Sequence, residues 1–146
     1  MALTGEYAPS ASKWVRDNVE VYEATDGVEG GTLPGTNYPV VVITSIGWRS
    51  GKLRKNPVMR VEHEGSYLAV ASMGGAPEDP EWAANFRHHP EVDLQDGADK
   101  ATYDVRELSG EEREVWWQRA VETWPTYASY AKKTERQIPL FLLERR

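Results

Sequence analysis

Apolar and polar positions change period several times along the chain, and each change marks an element. Over residues 10–24, Trp14, Val15, Val19 and Tyr22 recur near the helical repeat, with charged neighbours opposite and Ser10 or Ser12 placed to cap the N-terminus. Residues 27–37 (GVEGGTLPGTN) are too rich in Gly and Pro for regular structure and read as a loop free to move. Residues 38–46 carry Val40, Val41, Val42 and Ile43, an unbroken β-branched run that predicts a strand buried on both faces. Residues 57–64 alternate, as suits a strand with one wetter face. Glu64-Gly65 predicts a hairpin into a strand over residues 67–72, and these three strands are expected to be consecutive and antiparallel.

Asp79-Pro80-Glu81 reads as a helix start, with Asp79 as cap and Pro80 at the first helical position; Pro90 ends that helix, which spans residues 80–88. Residues 92–95 and 101–107 predict two strands joined by a turn at residues 96–99. Ser109 with Glu112 forms a capping-box pattern, opening a helix that turns Val115, Trp116, Ala120 and Trp124 inward until Pro125 breaks it. A short helical stretch with Tyr127 and Tyr130 follows, and residues 138–143 are an apolar core strand. The strands lie too close together for crossovers, so an antiparallel barrel with helices across its ends is the expected architecture.

Composition narrows the class. The 146 residues suit one domain, and 40% apolar with 27% charged residues describes a folded chain. With no cysteine, disulfides, thiolate metal sites and a cysteine nucleophile are excluded. His88 and His89 point apart at a helix end and His63 stands alone, so no metal is assigned. The start shows no leader pattern and no run reaches a membrane span, which points to a cytoplasmic protein.

Charge is distributed unevenly. The net charge is −6, yet between Gly30 and Val61 there is no acid and there are five bases, Arg49, Lys52, Arg54, Lys55 and Arg60. Such a chain repels nucleic acid in general while focusing a small anion on its one positive window. The basic turn at residues 48–57 has two glycines before it and within it, a hydroxyl at Ser50, and Arg49 and Arg54 as paired donors for phosphate oxygens. It lacks the Walker spacing. Ser72-Met73-Gly74-Gly75 follows a strand end, and with the basic turn it outlines a cleft where a flat ring can lie.

The blocks TSIGWRSGKLRKNPVM, ASMGG, Pro80-Glu81-Trp82 and WPTYASYAKKTERQIPLF, in this order over residues 38–143, resemble the deazaflavin-dependent nitroreductase and quinone reductase family. The resemblance implies a mainly β α+β fold, a split antiparallel barrel of about six strands with flanking helices, formed as one domain over residues 1–146 with residues 1–37 as N-terminal helix and loop. It implies coenzyme F420, an 8-hydroxy-5-deazaflavin, as cofactor, and hydride transfer to a quinone-like or nitroaromatic acceptor. Carried over by position, Trp48, Arg49, Ser50, Arg54, Lys55, Asn56, Pro57 and Val58 would line the cofactor's phosphate and tail. Met59, Val70, Ala71, Ser72 and Met73 would lie beside its ring, and Trp82 and Asn85 would close the site. Tyr127, Tyr130 and Ser72 would face the acceptor as catalytic groups. Lys55 and Arg60, as bases beyond Arg54, favour an acidic polyglutamyl tail.

Three positions depart from the family pattern: Trp48 and Met73 stand where bases are common, and Trp124 where a tyrosine is found. An FMN-binding split-barrel oxidoreductase and a non-catalytic cofactor carrier are the alternatives. Monomer and homodimer both stay open, as does peripheral contact with a membrane.

Overall fold

The unbroken apolar run at residues 38–46 is explained by what lies on either side of it. In the computed structural model, which describes residues 3–146, this segment forms β1 (Val40–Ile46). Val40 and Val42 enter one hydrophobic cluster with Val19, Tyr22, Trp116 and Leu140, while Val41 and Ile43 enter a second with Phe86, Leu94, Tyr103 and Phe141. A strand buried on both faces has no polar side to alternate with. Met1 and Ala2, part of the start read above as leaderless, lie outside the described residues.

Among the described residues, seven antiparallel strands form one curled sheet. They are β1, β2 (Leu53–Met59), β3 (Glu62–His63), β4 (Ser66–Val70), β5 (Glu91–Asp96), β6 (Asp99–Glu107) and β7 (Leu140–Arg145), in the spatial order β2-β1-β5-β6-β7-β4-β3. β2 comes back near β4 without joining its hydrogen-bond ladder, so the barrel is split along that seam. The free edge of β2 is covered at one point by the N-terminal segment: Leu53 N–H donates to the Glu6 carbonyl at 2.8 Å and Ala8 N–H to the Leu53 carbonyl at 2.9 Å. An edge position also accommodates Pro57, which has no N–H to offer.

Four α-helices among the described residues flank the sheet: α1 (Lys13–Thr25), α2 (Glu81–His88), α3 (Gly110–Thr123) and α4 (Thr126–Lys133). Ser12 caps α1, its hydroxyl accepting from Val15 N–H. Glu64 and Gly65, with φ of 52° and 85°, make the two-residue hairpin between β3 and β4. The turn between β5 and β6 pairs Asp96 with Asp99.

Several expectations are corrected. The basic segment is a turn only up to Lys52, and from Leu53 it is strand, so the strand expected at residues 57–64 starts four residues earlier and is interrupted before β3. Of the three strands expected to be consecutive and antiparallel, the first pairs antiparallel with β2 and the last pairs antiparallel with β3, but β2 and β3 lie at opposite edges of the sheet, so the middle strand is divided between two partners. Asp79 does not cap α2; Pro80 occupies the cap and the Asp79 carboxylate pairs with Arg136 at 2.6 Å. Ser109 makes no side-chain cap, and the Glu112 carboxylate is held by Arg106 at 2.6 Å and so does not reach back to complete the box. Val115 and Trp14, expected inward, are exposed, whereas Trp116 and Ala120 are buried.

Candidate functional site

The hairpin turn between β1 and β2 is shaped by its glycines. Gly47 N–H donates to the Lys52 carbonyl and Gly51 N–H to the Gly47 carbonyl, each at 2.8 Å. A Cβ on Gly47 would lie 2.8 Å from Ser50 Oγ, and Gly51 has a φ of 72°, so neither position takes a side chain without distortion. Asn85, buried on α2, fixes the turn from below: its Oδ1 accepts from Trp48 N–H at 3.0 Å and its Nδ2 donates to Ser45 Oγ at 3.4 Å. The Trp48 ring stacks on His88 at 4.9 Å, and the Arg49 guanidinium lies 4.5 Å from the Trp48 ring centre.

This docking leaves a cleft of about 580 Å³ between the turn and α2. Trp48, Arg49, Ser50, Arg54 and Asn56 line one side, and Pro80, Glu81, Trp82 and Asn85 the other, with Met73 at its far end and Ser10 and Val15 from the N-terminal region. The five bases of the positive window are not equivalent. Arg49 and Arg54 have no acidic partner among the described residues. Lys52 reaches Glu6 only at 3.6 Å. Lys55, expected beside the cofactor tail, lies one residue out of phase with Arg54 and Asn56 on β2; it pairs with Glu23 of α1 at 2.6 Å and lies over the Tyr7 ring. Arg60 is held by Asp96 at 2.8 Å. The two bases taken as support for an acidic tail are therefore committed elsewhere, and the cleft's available positive charge is that of Arg49 and Arg54.

A second recess of about 370 Å³ opens from the same cleft, sharing Met73, Pro80 and Trp82 with it. Pro57, Val58 and Met59 of β2 and Val70 of β4 form its apolar wall, Ser72 and Gly74 its edge, and Trp124, Tyr127 and Tyr130 its aromatic side; Trp14 and Leu33 complete the mouth. Trp124 stands edge-on to Tyr127 and Tyr130, at 5.2 and 5.6 Å between ring centres, so the three rings hold one another in place. Tyr127 is almost fully buried, yet its hydroxyl and that of Ser72 have no hydrogen-bond partner among the described residues. Burial, reinforced by neighbouring Tyr130, pushes the Tyr127 phenol well above its ordinary value, so it remains a proton-bearing donor at neutral pH. Ala71, expected beside the ring, is fully buried in the second hydrophobic cluster and lines neither recess.

Sequence reasoning missed several residues here. Ser10, Trp14 and Leu33 reach the cleft from segments distant in sequence, with no local pattern to announce them. The backbone of Met73, Gly74 and Gly75 is left-handed at all three positions, with φ of 45°, 67° and 83°. The glycine pair signals this, but Met73 does not. Arg136, lying between α4 and β7, binds this turn, and nothing in its local sequence marks it.

A positively charged cleft continuous with a flat, apolar, aromatic-sided recess fits a ligand with an anionic tail and a planar ring. The F420H(2)-dependent quinone reductase family model matches residues 14–145. An F420H(2)-dependent quinone reductase of Mycobacterium tuberculosis is 26% identical over 147 residues, covering 92% of this chain and 98% of that protein. Among solved structures, an F420-H2 dependent reductase is 50% identical with a TM-score of 0.69, covering 73% of this chain and 94% of its own. A second, described as a domain-swapped dimer, is 45% identical with a TM-score of 0.72, covering 92% and 100%. The family match takes in all seven strands and every residue named in the two recesses except Ser10, and the chain belongs to the F420H(2)-dependent quinone reductase family.

Proposed function

We propose that this protein reduces quinone-like acceptors with F420H2, the cofactor's anionic tail lying in the cleft between the hairpin turn and α2 and its ring in the recess under Tyr127. The observation that carries this reading is the pair of arginines with no acidic partner among the described residues at one end of a continuous cleft and, at the other, the pair of hydroxyls with no hydrogen-bond partner among them. Bound there, F420H2 supplies the hydride.

Arg49 and Arg54 would hold phosphate and carboxylate oxygens by charge-assisted hydrogen bonds, with Ser50 and Asn56 as neutral donors between them. Met59, Val58 and Val70 would give the ring an apolar floor. Tyr127 and Tyr130 would cover it and exclude water, which would strengthen every polar contact in the recess. Tyr127, with Ser72 lining the same recess, would donate a hydrogen bond to the acceptor oxygen on which negative charge develops, and among the described residues neither hydroxyl has another partner to leave. The exposed Trp14 and Met73 at the mouth suit an acceptor with apolar arms, nitroaromatic compounds included, and offer an edge for membrane contact. The domain-swapped dimer formed by a related chain supports a homodimer here. Among the described residues, no helix is long and apolar enough to cross a membrane.

The test is a single-turnover experiment: protein loaded with F420H2 is mixed with a soluble quinone and deazaflavin absorbance is followed. Return of the oxidised spectrum at a protein-dependent rate is expected. A rate equal to that of free cofactor would refute the proposal.

A further inference from the structure

The turn that carries Ser72 and Met73 is held from behind by one side chain. Arg136 Nη2 donates to the Ala71 and Ser72 carbonyls at 3.1 and 2.9 Å, its Nε donates to the Ala76 carbonyl at 2.9 Å, and its Nη1 pairs with Asp79 Oδ1 at 2.6 Å. The guanidinium is mostly buried and so grips both ends of the Met73–Gly75 turn together with the residue just ahead of α2. Within the turn, Met73 has a φ of 45°, which is costly for a residue that carries a Cβ, and among the described residues two backbone hydrogen bonds close it: Gly75 N–H to the Ser72 carbonyl and Ala76 N–H to the Met73 carbonyl. From the other side, α4 packs so closely that a Cβ on Gly75 would lie 2.8 Å from the Tyr130 carbonyl.

We infer that Arg136 is a positioning residue of the active centre: by gathering three carbonyls and one carboxylate it holds the strained turn that presents Ser72 and Met73 to the recess, in register with Tyr127 and Tyr130 on α4. It touches neither cleft nor acceptor itself. The inference rests on the reductase reading for its consequence and on the turn geometry for its mechanism. A planar fork of five donors matches three diverging carbonyls; the ammonium of lysine retains the charge and reaches Asp79 but does not reproduce the fan.

The test is Arg136→Lys, examined first without cofactor by amide hydrogen exchange. Exchange at Gly75 and Ala76 is expected to rise about tenfold or more, while Val105 and Leu142 in the core strands keep wild-type protection. In the loaded protein, quinone reduction is expected to fall about tenfold with F420 affinity within about threefold of wild type, the split a positioning role produces. Met73→Asn in the Arg136→Lys background should recover part of the lost rate, because asparagine accepts a left-handed backbone more readily. Wild-type exchange at Gly75 and Ala76 in a folded Arg136→Lys protein would overturn the inference, as would a rate loss that follows cofactor affinity alone. If Arg136→Lys does not fold, Asp79→Asn, which leaves the carbonyl fan in place, takes over with a smaller rise at the same two amides expected; no rise overturns the inference. Raised exchange with wild-type protein inert toward quinone would refute the reductase reading and leave the clamp standing.

Discussion

Replacing Arg54 by alanine removes one of only two cations that face the cleft without an acidic partner among the described residues. Arg54 makes no ion pair among the described residues whose partner would be left exposed, and the β1–β2 backbone register passes through Ser45 opposite Arg54 regardless of side chain. The loss is therefore that of one charge-assisted hydrogen bond to the ligand, about 1.5–3 kcal/mol. Since 1.36 kcal/mol is a factor of ten, the dissociation constant for F420 should rise between about 13-fold and about 160-fold. The assay is quenching of protein fluorescence by F420 at low salt and again near 1 M salt, where the screening length shrinks to about 3 Å and the wild-type advantage should narrow. Lys55→Ala is the matched control, removing the same charge one residue along the strand, where it pairs with Glu23. It should change affinity by less than about twofold, as a distant screened charge does. Affinity for Arg54→Ala within twofold of wild type at low salt, or equal losses for Arg54→Ala and Lys55→Ala, would refute the assignment of the anion site.

Tyr127→Phe should lower quinone reduction by about a hundredfold with cofactor affinity nearly intact, as loss of a transition-state donor does; parallel losses in stopped-flow rate and binding would make Tyr127 a packing residue. Asn85→Leu strips partners from Trp48 N–H and Ser45 Oγ and should cost about 1–3 kcal/mol in urea unfolding; unchanged stability would show the turn is held some other way. Burial raises the phenols of Tyr22, Tyr67, Tyr103 and Tyr127 above 10, and at Tyr67 a hydrogen bond to Asp96 adds to it. Above pH 10 the unfolded chain loses those protons while the folded one keeps them, so stability is fully present below pH 10 and falls as pH rises beyond it. Urea midpoints should decline from pH 9.5 to 11, and less steeply in Tyr67→Phe; a flat profile contradicts this.

What could be read from the sequence follows from the range of the forces involved. β1 and β7 were legible because both their faces are buried and their apolar runs are unbroken. The Glu64-Gly65 and Asp96–Asp99 turns were legible because turn conformation is chosen by the residues in it. β2 was misread over residues 53–56 because an edge strand with polar, half-buried residues carries no apolar period. The caps expected from Asp79 and Glu112 failed for a different reason. Each carboxylate has an arginine within reach, Arg136 or Arg106, and a charge-assisted pair outcompetes a cap to a neutral N–H. Arg136 lies 57 residues from Asp79, a separation no local pattern reports. Many residues named from the family blocks line the two recesses, but Lys55 and Ala71 do not, because the strand alternation and the core direct their side chains away from the cleft.

The central claim is that one continuous cleft takes a deazaflavin by its tail and its ring. The most direct measurement is a parallel fluorescence titration of the purified protein with F420 and with FMN, followed by addition of a quinone to the reduced complex. The account predicts saturable quenching by F420, markedly weaker binding of FMN, and oxidation of the bound cofactor when the quinone is added. Preference for FMN, or F420 binding that never leads to oxidation, would contradict it.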